Sequence, residues 1–195
     1  KCVVVASSDK AYGDSDELPY TELMPPLGRH PYDVSKSCTD LIAQSYAITY
    51  ELPVVIARCG NIFGGGDLNW SRIIPGTILS LHRGERPVIR SDGKFGRDYL
   101  YIDDAVSAYM SAAEAVDRPD VGGNAFNFGS ETPTTVIDIV DQLRSLMERE
   151  DLIADIRNSA KAEIRDQFLS TAKARKTLNW TPKYSLTQGL NETVA

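Results

Sequence analysis

Two short runs of apolar, mostly β-branched residues constrain the fold of this chain more than any other feature. Residues 2–6 read Cys-Val-Val-Val-Ala, and residues 54–57 read Val-Val-Ile-Ala. Such runs are typical of parallel strands that are buried on both faces of a sheet. Between them, apolar residues at helical spacing predict a long helix from Tyr32 to about Glu51, and Pro53 ends it. Strand, helix and strand in this order form a right-handed βαβ unit.

Beyond the βαβ unit, shorter helices and strands alternate to the end of the chain. Asp103 or Asp104 is placed to cap one of these helices, because a short carboxylate accepts hydrogen bonds from the first free amides. The predicted strands lie at 87–90, 98–102, 124–128 and 153–156. One predicted helix runs from the capping aspartate to about Val116, and the others lie at 71–83, 136–149, 170–178 and 186–194.

These elements predict an α/β fold, made of the C-terminal part of a doubly wound parallel, Rossmann-like sheet and a small mixed α/β lobe. We assign residues 1–60 to the second half of the Rossmann-like domain, with its long helix. Residues 61–195 fall mainly in the lobe, with about 97–128 returning to the sheet. No initiator Met or turn precedes the first buried strand, so we expect the chain to begin within a domain.

Charge and composition exclude several classes of partner. The net charge of -6 argues against a nucleic-acid or anionic-membrane surface, since both need clustered cations. The cysteines Cys2, Cys38 and Cys59 lie far apart and form no C-x-x-C pair, and there are only two histidines. We therefore expect no disulfide framework and no metal site, and a reducing cytoplasm as the location.

The helix start carries a tyrosine and a lysine four residues apart, which places both side chains on one face. An ammonium at this distance from a phenol stabilises the phenolate form. Alone, Tyr32-x-x-x-Lys36 is weak evidence, because an ordinary amphipathic helix often begins this way. The pair follows a buried strand, the residues Ser7-Ser8 and a loop rich in Gly, Pro and Asp, and this position favours a catalytic interpretation.

Two segments together carry a resemblance to a known family. Residues 3–13 read Val-Val-Val-Ala-Ser-Ser-Asp-Lys-Ala-Tyr-Gly, and residues 30–36 read His-Pro-Tyr-Asp-Val-Ser-Lys. The chain resembles the extended short-chain dehydrogenase/reductase family, whose NAD-dependent members epimerise or dehydrate nucleotide sugars. Further matching motifs are Arg58-Cys-Gly-Asn61, Gly96-Arg-Asp-Tyr-Leu-Tyr-Ile-Asp-Asp104, Asn127-Phe-Gly129 and Leu178-Asn-Trp-Thr-Pro182.

The resemblance covers essentially the whole chain, but it implies that the N-terminal cofactor half lies outside this sequence. Residues 64–66 are three glycines, yet they do not form G-x-G-x-x-G and do not open the first βαβ unit. The family's cofactor is NAD, with NADP as the alternative. The resemblance also implies that the lobe binds the substrate at the cleft.

The family assigns catalytic roles to five positions of this sequence. Tyr32 would take the proton of the sugar C4 hydroxyl, and Ser8 would hold the same oxygen. Lys36 would support Tyr32 and the ribose of the cofactor. The pair Asp9-Lys10 resembles the CDP-glucose type of 4,6-dehydratase, whereas most 4,6-dehydratases carry Asp-Glu there and 4-epimerases carry small or apolar residues. Asp9 would protonate the departing C6 hydroxyl, and Lys10 would assist removal of the C5 proton. The alternative is that these two residues form a solvated ion pair.

Other positions are implied to bind ligands. A guanidinium suits phosphate oxygens better than an ammonium does. Arg165 could equally belong to a surface charge cluster at 163–166. The expected cofactor-binding residues are Ser7, Tyr32, Lys36 and Cys59, and the expected substrate-binding residues are Asn61, Arg72, Val88, Arg97 and Arg165.

The sequence therefore predicts an NAD-dependent nucleotide-sugar 4,6-dehydratase nearest to the CDP-glucose type. The first alternative is a 4-epimerase acting on similar substrates, because Arg97-Asp-Tyr-Leu-Tyr-Ile looks epimerase-like. A third is a fragment that binds sugar nucleotides without activity. By family resemblance we also expect a homodimer through the Tyr32–Lys36 helix.

Overall fold

The computed structural model describes residues 1–159 and 164–195. The strands are β1 (Val3–Ser8), β2 (Val54–Cys59), β3 (Asn61–Phe63), β4 (Val88–Ile89), β5 (Gly96–Arg97), β6 (Tyr99–Tyr101), β7 (Ala125–Phe128), β8 (Thr134–Thr135), β9 (Asp155–Ile156) and β10 (Asp166–Gln167). The helices are α1 (Pro31–Tyr50), α2 (Ile73–His82), α3 (Ile102–Ala115), α4 (Val136–Leu146), α5 (Ala172–Leu178) and α6 (Leu186–Val194).

The βαβ unit predicted from the sequence is confirmed. Strands β1, β2 and β7 form a parallel sheet in the order β1-β2-β7, with Val5 opposite Ile56 and Ile56 opposite Ala125. All six residues of β2 are buried. Its alternate side chains pack in opposite directions: Val54 and Ile56 join a cluster with Ala43 of α1, and Val55 and Ala57 join one with α3. A strand covered on both faces explains the continuous apolar run.

Helix α1 begins and ends within one residue of the prediction. Pro31 occupies its first turn, where its missing N–H costs no hydrogen bond. The helix ends at Tyr50, and Glu51 adopts a left-handed conformation with φ of 53° before the next strand. Helix α1 thus connects the end of the loop after β1 to the start of β2.

The lobe is built from short strand pairs around a second core. Strands β3 and β6 pair in parallel, β4 pairs with β9, and β5 lies between β10 and β8. The second core is formed by residues of α2, α4 and α6, including Leu81, Leu143 and Leu190. Because β7 returns to the first sheet, residues of the sheet and of the lobe alternate along the chain. The domain boundaries given above stay a prediction.

The predicted cap of α3 is wrong. The helix begins at Ile102, preceded by Tyr101, and no side chain in the described part of the chain caps it. Asp104 instead accepts hydrogen bonds from the backbone N–H groups of Lys183 and Tyr184, at 2.8 and 3.0 Å. Its carboxylate fixes the segment before α6, because those two donors need a partner more than the helix start does. Across the described ranges, no helix combines the length and apolar character that crossing a membrane requires.

Candidate functional site

A cavity of about 920 Å³ opens where β1 and β2 end. Ser7 and Ser8 line it from the last residues of β1, and Cys59 lines it from the last residue of β2. The carboxyl ends of parallel strands are where α/β proteins bind ligands, because loops there connect to different neighbours and leave a crevice. Tyr32 of α1 forms part of the same wall.

A tight turn carries the serine, aspartate and lysine predicted from the sequence. Residues Asp9–Tyr12 form one turn of 3-10 helix directly after β1. The Ser8 hydroxyl caps this turn by accepting a hydrogen bond from the N–H of Lys10 at 3.3 Å, and it donates to Asp9 Oδ1 at 2.9 Å. Ser8 and Asp9 are therefore held in a fixed relation at the cavity edge.

Asp9 lies beneath the cavity surface rather than on it. The residue is 1% exposed, and its Oδ2 has no hydrogen-bond partner within the described residues. Burial raises the pKa of this carboxyl, outweighing the opposite effects of the Lys10 charge and the Ser8 hydrogen bond. Burial thus shifts the equilibrium of Asp9 towards the neutral acid, and the neutral acid is the form that donates a proton.

Lys10 faces the cavity and contacts a distant segment of the chain. Its side chain lines the cavity, and its Nζ donates a hydrogen bond to Oε1 of Gln167. Gln167 is fully buried in β10. No sequence pattern around Gln167 predicts this contact, because Lys10 lies 157 positions earlier in the chain.

Tyr32 and Lys36 lie on one face of α1, as their spacing predicts. Tyr32 is 56% exposed, and Lys36 Nζ lies 5.7 Å from the centre of its ring. The Lys36 ammonium also donates a hydrogen bond to the carbonyl of Ala6 at 2.9 Å. The helix is thus tied to β1 beside Ser7 and Ser8, and the phenol is left accessible to a ligand.

The two remaining residues expected at the cofactor are both buried. Ser7 is 7% exposed, and its Oγ has no partner within the described residues. Cys59 is 2% exposed, and burial raises the pKa of its thiol to about 12. A thiol with so high a pKa stays protonated and is a poor nucleophile, so Cys59 can act only as a neutral wall.

Most residues expected to bind the substrate line the other end of the cavity. Asn61, Arg72, Val88 and Arg97 all do so. Arg97 is buried and donates hydrogen bonds to the carbonyls of Gly96, Ile164 and Arg165 at 2.6–2.8 Å. These bonds tie its guanidinium to the backbone of β5 and of the segment before β10.

Arg165 is placed differently. Its backbone carbonyl accepts from Arg97, but the residue is exposed and is not among the described residues that line the cavity. The expected charge cluster contains two acidic residues, Glu163 and Asp166. Asp166 accepts a hydrogen bond from the N–H of Gly96. Glu163 lies outside the described residues. A substrate contact by Arg165 stays a prediction.

Two further arginines line the cavity and were missed. Arg90 donates a hydrogen bond to the carbonyl of Ser71 at 2.6 Å, and Arg157 pairs with Asp155 at 2.9 Å. Both follow the paired strands β4 and β9, in which Ile89 lies opposite Ile156. Pairing the predicted strands 87–90 and 153–156 in this register would have placed the two arginines side by side.

A buried polar network lies behind the cavity. The Arg58 guanidinium of β2 forms an ion pair with Asp40 of α1 and donates to the Tyr12 hydroxyl at 2.8 Å. That hydroxyl donates in turn to Asn127 Oδ1 of β7 at 2.6 Å. Burial raises the pKa of Tyr12 to about 12, so the phenol stays neutral and remains a donor. The network joins the turn after β1 to α1, β2 and β7.

The loop between the turn and α1 is also anchored to the C-terminal region. The N–H of Tyr20 donates to the carbonyl of Phe168, and the N–H of Ser170 donates to the carbonyl of Tyr20, both at 2.9 Å. The rings of Tyr12 and Tyr20 stack with centres 4.9 Å apart. The residues just after β10 therefore support the loop that follows the turn with Asp9 and Lys10.

Known proteins share both the sequence pattern and this architecture. A 4,6-dehydratase of dTDP-glucose from Neisseria gonorrhoeae is 29% identical over an alignment that covers 96% of this chain and 57% of that protein. The human dTDP-D-glucose 4,6-dehydratase is 26% identical, with 98% and 55% covered. The chain thus spans a little over half the length of these curated relatives.

Solved structures superpose closely on the described fold. The dTDP-glucose 4,6-dehydratase from Bacillus anthracis, in complex with NAD, matches with a TM-score of 0.88 and 29% identity over 99% of this chain and 60% of that one. The UDP-glucose 4-epimerase from Thermotoga maritima, with UDP-glucose, matches with a TM-score of 0.89 and 28% identity over 98% and 61%. The model of the NAD-dependent epimerase/dehydratase family matches residues 1–129. The chain belongs to that family.

Proposed function

We propose that the protein containing this chain is an NAD-dependent nucleotide-sugar 4,6-dehydratase. The observation that carries the proposal is the turn after β1, where a buried carboxyl with a raised pKa lies beside a lysine and a serine at the cavity edge. An epimerase needs only a proton acceptor at one hydroxyl. A dehydratase also needs an acid and a base for the elimination of water, and Asp9 and Lys10 provide such a pair.

The residues at the strand ends fit the nicotinamide end of NAD. Ser7 offers a buried hydroxyl that has no partner among the described residues, and Tyr32, with Lys36 beside its ring, lines the same cavity. Cys59 adds a neutral wall. When bound, NAD supplies the reversible oxidation and reduction of the sugar, which no amino-acid side chain can perform.

The side chains divide the proton transfers among them. Tyr32 takes the proton of the sugar C4 hydroxyl, and Ser8 holds that oxygen by a hydrogen bond. Lys36 holds its ammonium 5.7 Å from the centre of the Tyr32 ring and is placed to bind the cofactor ribose. Once C4 is a ketone, the C5 proton is acidic, and neutral Lys10 accepts it. The electrons of the C5–H bond form the C5–C6 double bond, the C6–O bond breaks, and the proton of Asp9 completes the departing water. The 4-keto-6-deoxy product then requires the hydride taken from C4 to return from bound NAD to C6, and a proton at C5, which Lys10 would return after exchange with solvent.

The arginine-rich end of the cavity suits the diphosphate. Guanidinium groups bind phosphate oxygens through two parallel hydrogen bonds. Arg72, Arg90 and Arg157 line this end, together with Asn61 and Arg97. Val88 is 37% exposed there and provides an apolar contact for the base. We propose CDP-glucose as the substrate, with dTDP-glucose and UDP-glucose as the compounds to compare.

A product assay on the full-length protein tests the function. With NAD and each of the three sugar nucleotides in deuterium oxide, we expect a 4-keto-6-deoxy sugar that carries solvent deuterium at C5. Tyr32→Phe should lower kcat by about 10²- to 10⁴-fold, whereas Tyr46→Phe on the exposed part of α1 serves as the control. A sugar inverted at C4, without exchange at C5, would contradict dehydration.

A 4-epimerase is the second candidate, and one observation favours it. Tyr32 and Ser8 line the cavity, but Asp9 is buried beneath its surface. An epimerase would use the first two residues and leave Asp9 as a structural acid. A binding function without catalysis remains the third reading, for which sugar-nucleotide binding would persist but neither product would form with NAD present.

We also propose a homodimer through α1, in a cytoplasmic protein. Val34, Leu41 and Ile48 are all exposed and follow one another at intervals of seven residues, the spacing with which one helix packs against another. The three cysteines are free, which fits a reducing compartment. Leu41→Glu should convert the full-length protein from dimer to monomer in light scattering, whereas Thr49→Glu, which is exposed and outside this stripe, should not.

A further inference from the structure

A buried glutamine contacts the lysine that is proposed to act as the base. Gln167 is 0% exposed, and its side-chain Oε1 accepts a hydrogen bond from Lys10 Nζ. Fully buried glutamine side chains are uncommon, because the amide must find partners to offset its loss of water. Within the described residues its Nε2 has no hydrogen-bond partner, so the amide is held beside the turn that carries Asp9 and Lys10 through its Oε1 atom.

The backbone around Gln167 is held on two sides. Strand β10 pairs with β5, so that Gln167 lies opposite Arg97, and the N–H of Asp98 donates to the Gln167 carbonyl at 3.1 Å. On the other side, the residues after β10 bond to Tyr20 in the loop. A side chain on so constrained a backbone places its amide reproducibly. The elements that fix Gln167 also carry Arg97, which lines the substrate cavity.

The chemistry of an amide matches what a lysine base requires. A carboxylate at this position would stabilise the ammonium form of Lys10 and oppose release of its proton. An amide oxygen is a neutral acceptor, so it adds no such charge. It accepts an N–H from either the ammonium or the neutral amine, and in the neutral amine the nitrogen lone pair then points away from the amide.

We propose that Gln167 is a positioning residue for the elimination step, which orients the Nζ of Lys10 towards the C5 proton of the substrate. This inference rests on the proposed dehydratase function. Gln167 transfers no proton and forms no bond to the sugar. It fixes where the Lys10 lone pair lies when the C5–H bond breaks, and it leaves the chemistry at C4 to Tyr32.

Two variants of Gln167 separate positioning from packing. Gln167→Met keeps the length of the side chain and removes the amide, and Gln167→Glu keeps its shape and adds a negative charge. The full-length protein with NAD is assayed on sugar nucleotides deuterated at C4 or at C5. We expect kcat to fall by about tenfold to a hundredfold in Gln167→Met, with a larger loss in Gln167→Glu.

The isotope effects identify the step that slows. We expect the effect of deuterium at C5 to increase in both variants and the effect at C4 to decrease, with KM nearly unchanged. Gln142→Met on α4, which is partly exposed and distant from the cavity, should behave as wild type. A packing role alone would lower the melting temperature and slow both steps alike.

Each outcome decides between the two proposals. If the wild-type protein forms the 4-keto-6-deoxy product but the Gln167 variants keep its kcat and its isotope effects, positioning by Gln167 is overturned and the dehydratase function stands. If the wild-type protein forms no such product, the function itself fails. Should Gln167→Met not fold, Gln167→Glu alone decides, because it conserves the size of the native side chain and an acceptor oxygen at its end.

Discussion

The arginines that line the front of the cavity and Arg58 behind it form ion pairs that differ in their exposure to solvent. Arg72 and Arg157 pair with Asp67 and Asp155, but their side chains remain 60% and 58% exposed. Arg58 pairs with Asp40 at 2% and 0% exposure. The same chemical group is therefore solvated in one region and sealed in the other. Exposed pairs contribute little to stability, whereas a buried charge that loses its partner is costly.

This difference separates binding from folding. A guanidinium that is weakly held by one carboxylate exchanges it for a phosphate at small cost, so the arginines in front are suited to a ligand. The guanidinium of Arg58 has its donors committed to Asp40 and Tyr12 and makes no part of the cavity wall among the described residues. Within one sequence motif, Arg58 is thus part of the buried network and Asn61 lines the cavity.

The largest expected effect comes from breaking the buried pair. Arg58→Met should lower the free energy of unfolding by about 3–5 kcal/mol, because Asp40 would be left as an uncompensated buried charge. Arg118→Met removes an exposed partner of Asp120 and should cost at most about 1 kcal/mol. Urea unfolding followed by circular dichroism measures both. Equal losses in the two variants would contradict the comparison.

A smaller effect is expected from the arginines in front. Arg157→Gln should weaken the binding of CDP-glucose to the full-length protein by about tenfold to a hundredfold, because a charged hydrogen bond to phosphate is lost. The free energy of unfolding should change by less than about 0.5 kcal/mol. Calorimetric titration gives the affinity, and Arg118→Gln is the control. A large loss of stability with unchanged affinity would reverse the roles assigned to the two regions.

The smallest expected effect on the free energy of unfolding is a change in its dependence on pH. Burial raises the pKa of Asp9 above its ordinary value of 3.8, so the folded state keeps this proton to a higher pH than the unfolded chain does. The stability contributed by neutral Asp9 is present below that ordinary value and is lost as the pH rises through the raised one.

Asp9→Asn should therefore reduce the fall in unfolding free energy between acid and neutral pH, while it abolishes dehydration. Unfolding measured by urea at a series of pH values tests this. Asp117→Asn, an exposed aspartate, should leave the pH dependence unchanged. A steeper decline in the Asp9→Asn protein would show that the carboxylate, and not the acid, is the stable form.

The sequence predicts long elements better than short ones. The run at 54–57 and the helical spacing before Pro53 determine β2 and α1, because many residues of each element carry the same signal. Of the strands with two residues, β4 and β9 lie within the predicted strands at 87–90 and 153–156, whereas β5, β8 and β10 were not predicted. Two residues carry no periodicity, so their pairing depends on tertiary contacts alone. The misassigned Asp104 follows from the same cause, since its partners lie about 80 positions away.

The residues of the candidate site show the same difference between local sequence signals and tertiary contacts. Ser8, Asp9, Lys10, Tyr32 and Lys36 belong to continuous motifs, and the resemblance supplied roles for them. Arg90, Arg157 and Gln167 reach the site through strand pairing, so no local motif contains them. Burial is also not readable from a motif: Asp9 is predicted to act on the substrate, and it lies beneath the cavity surface.

The bonds between Tyr20 and residues 168–170 have a consequence for the order in which the protein matures on the ribosome. Strand β1, α1 and β2 are translated before β7 and β10, and their residues Val5, Ala43, Val54 and Ile56 form one cluster that Ala125 of β7 completes. The turn with Asp9 and Lys10 receives its support from the segment around β10 only after about 150 further residues have been translated. Nascent chains that stop short of β10 would therefore expose an unfinished cavity wall beside Lys10.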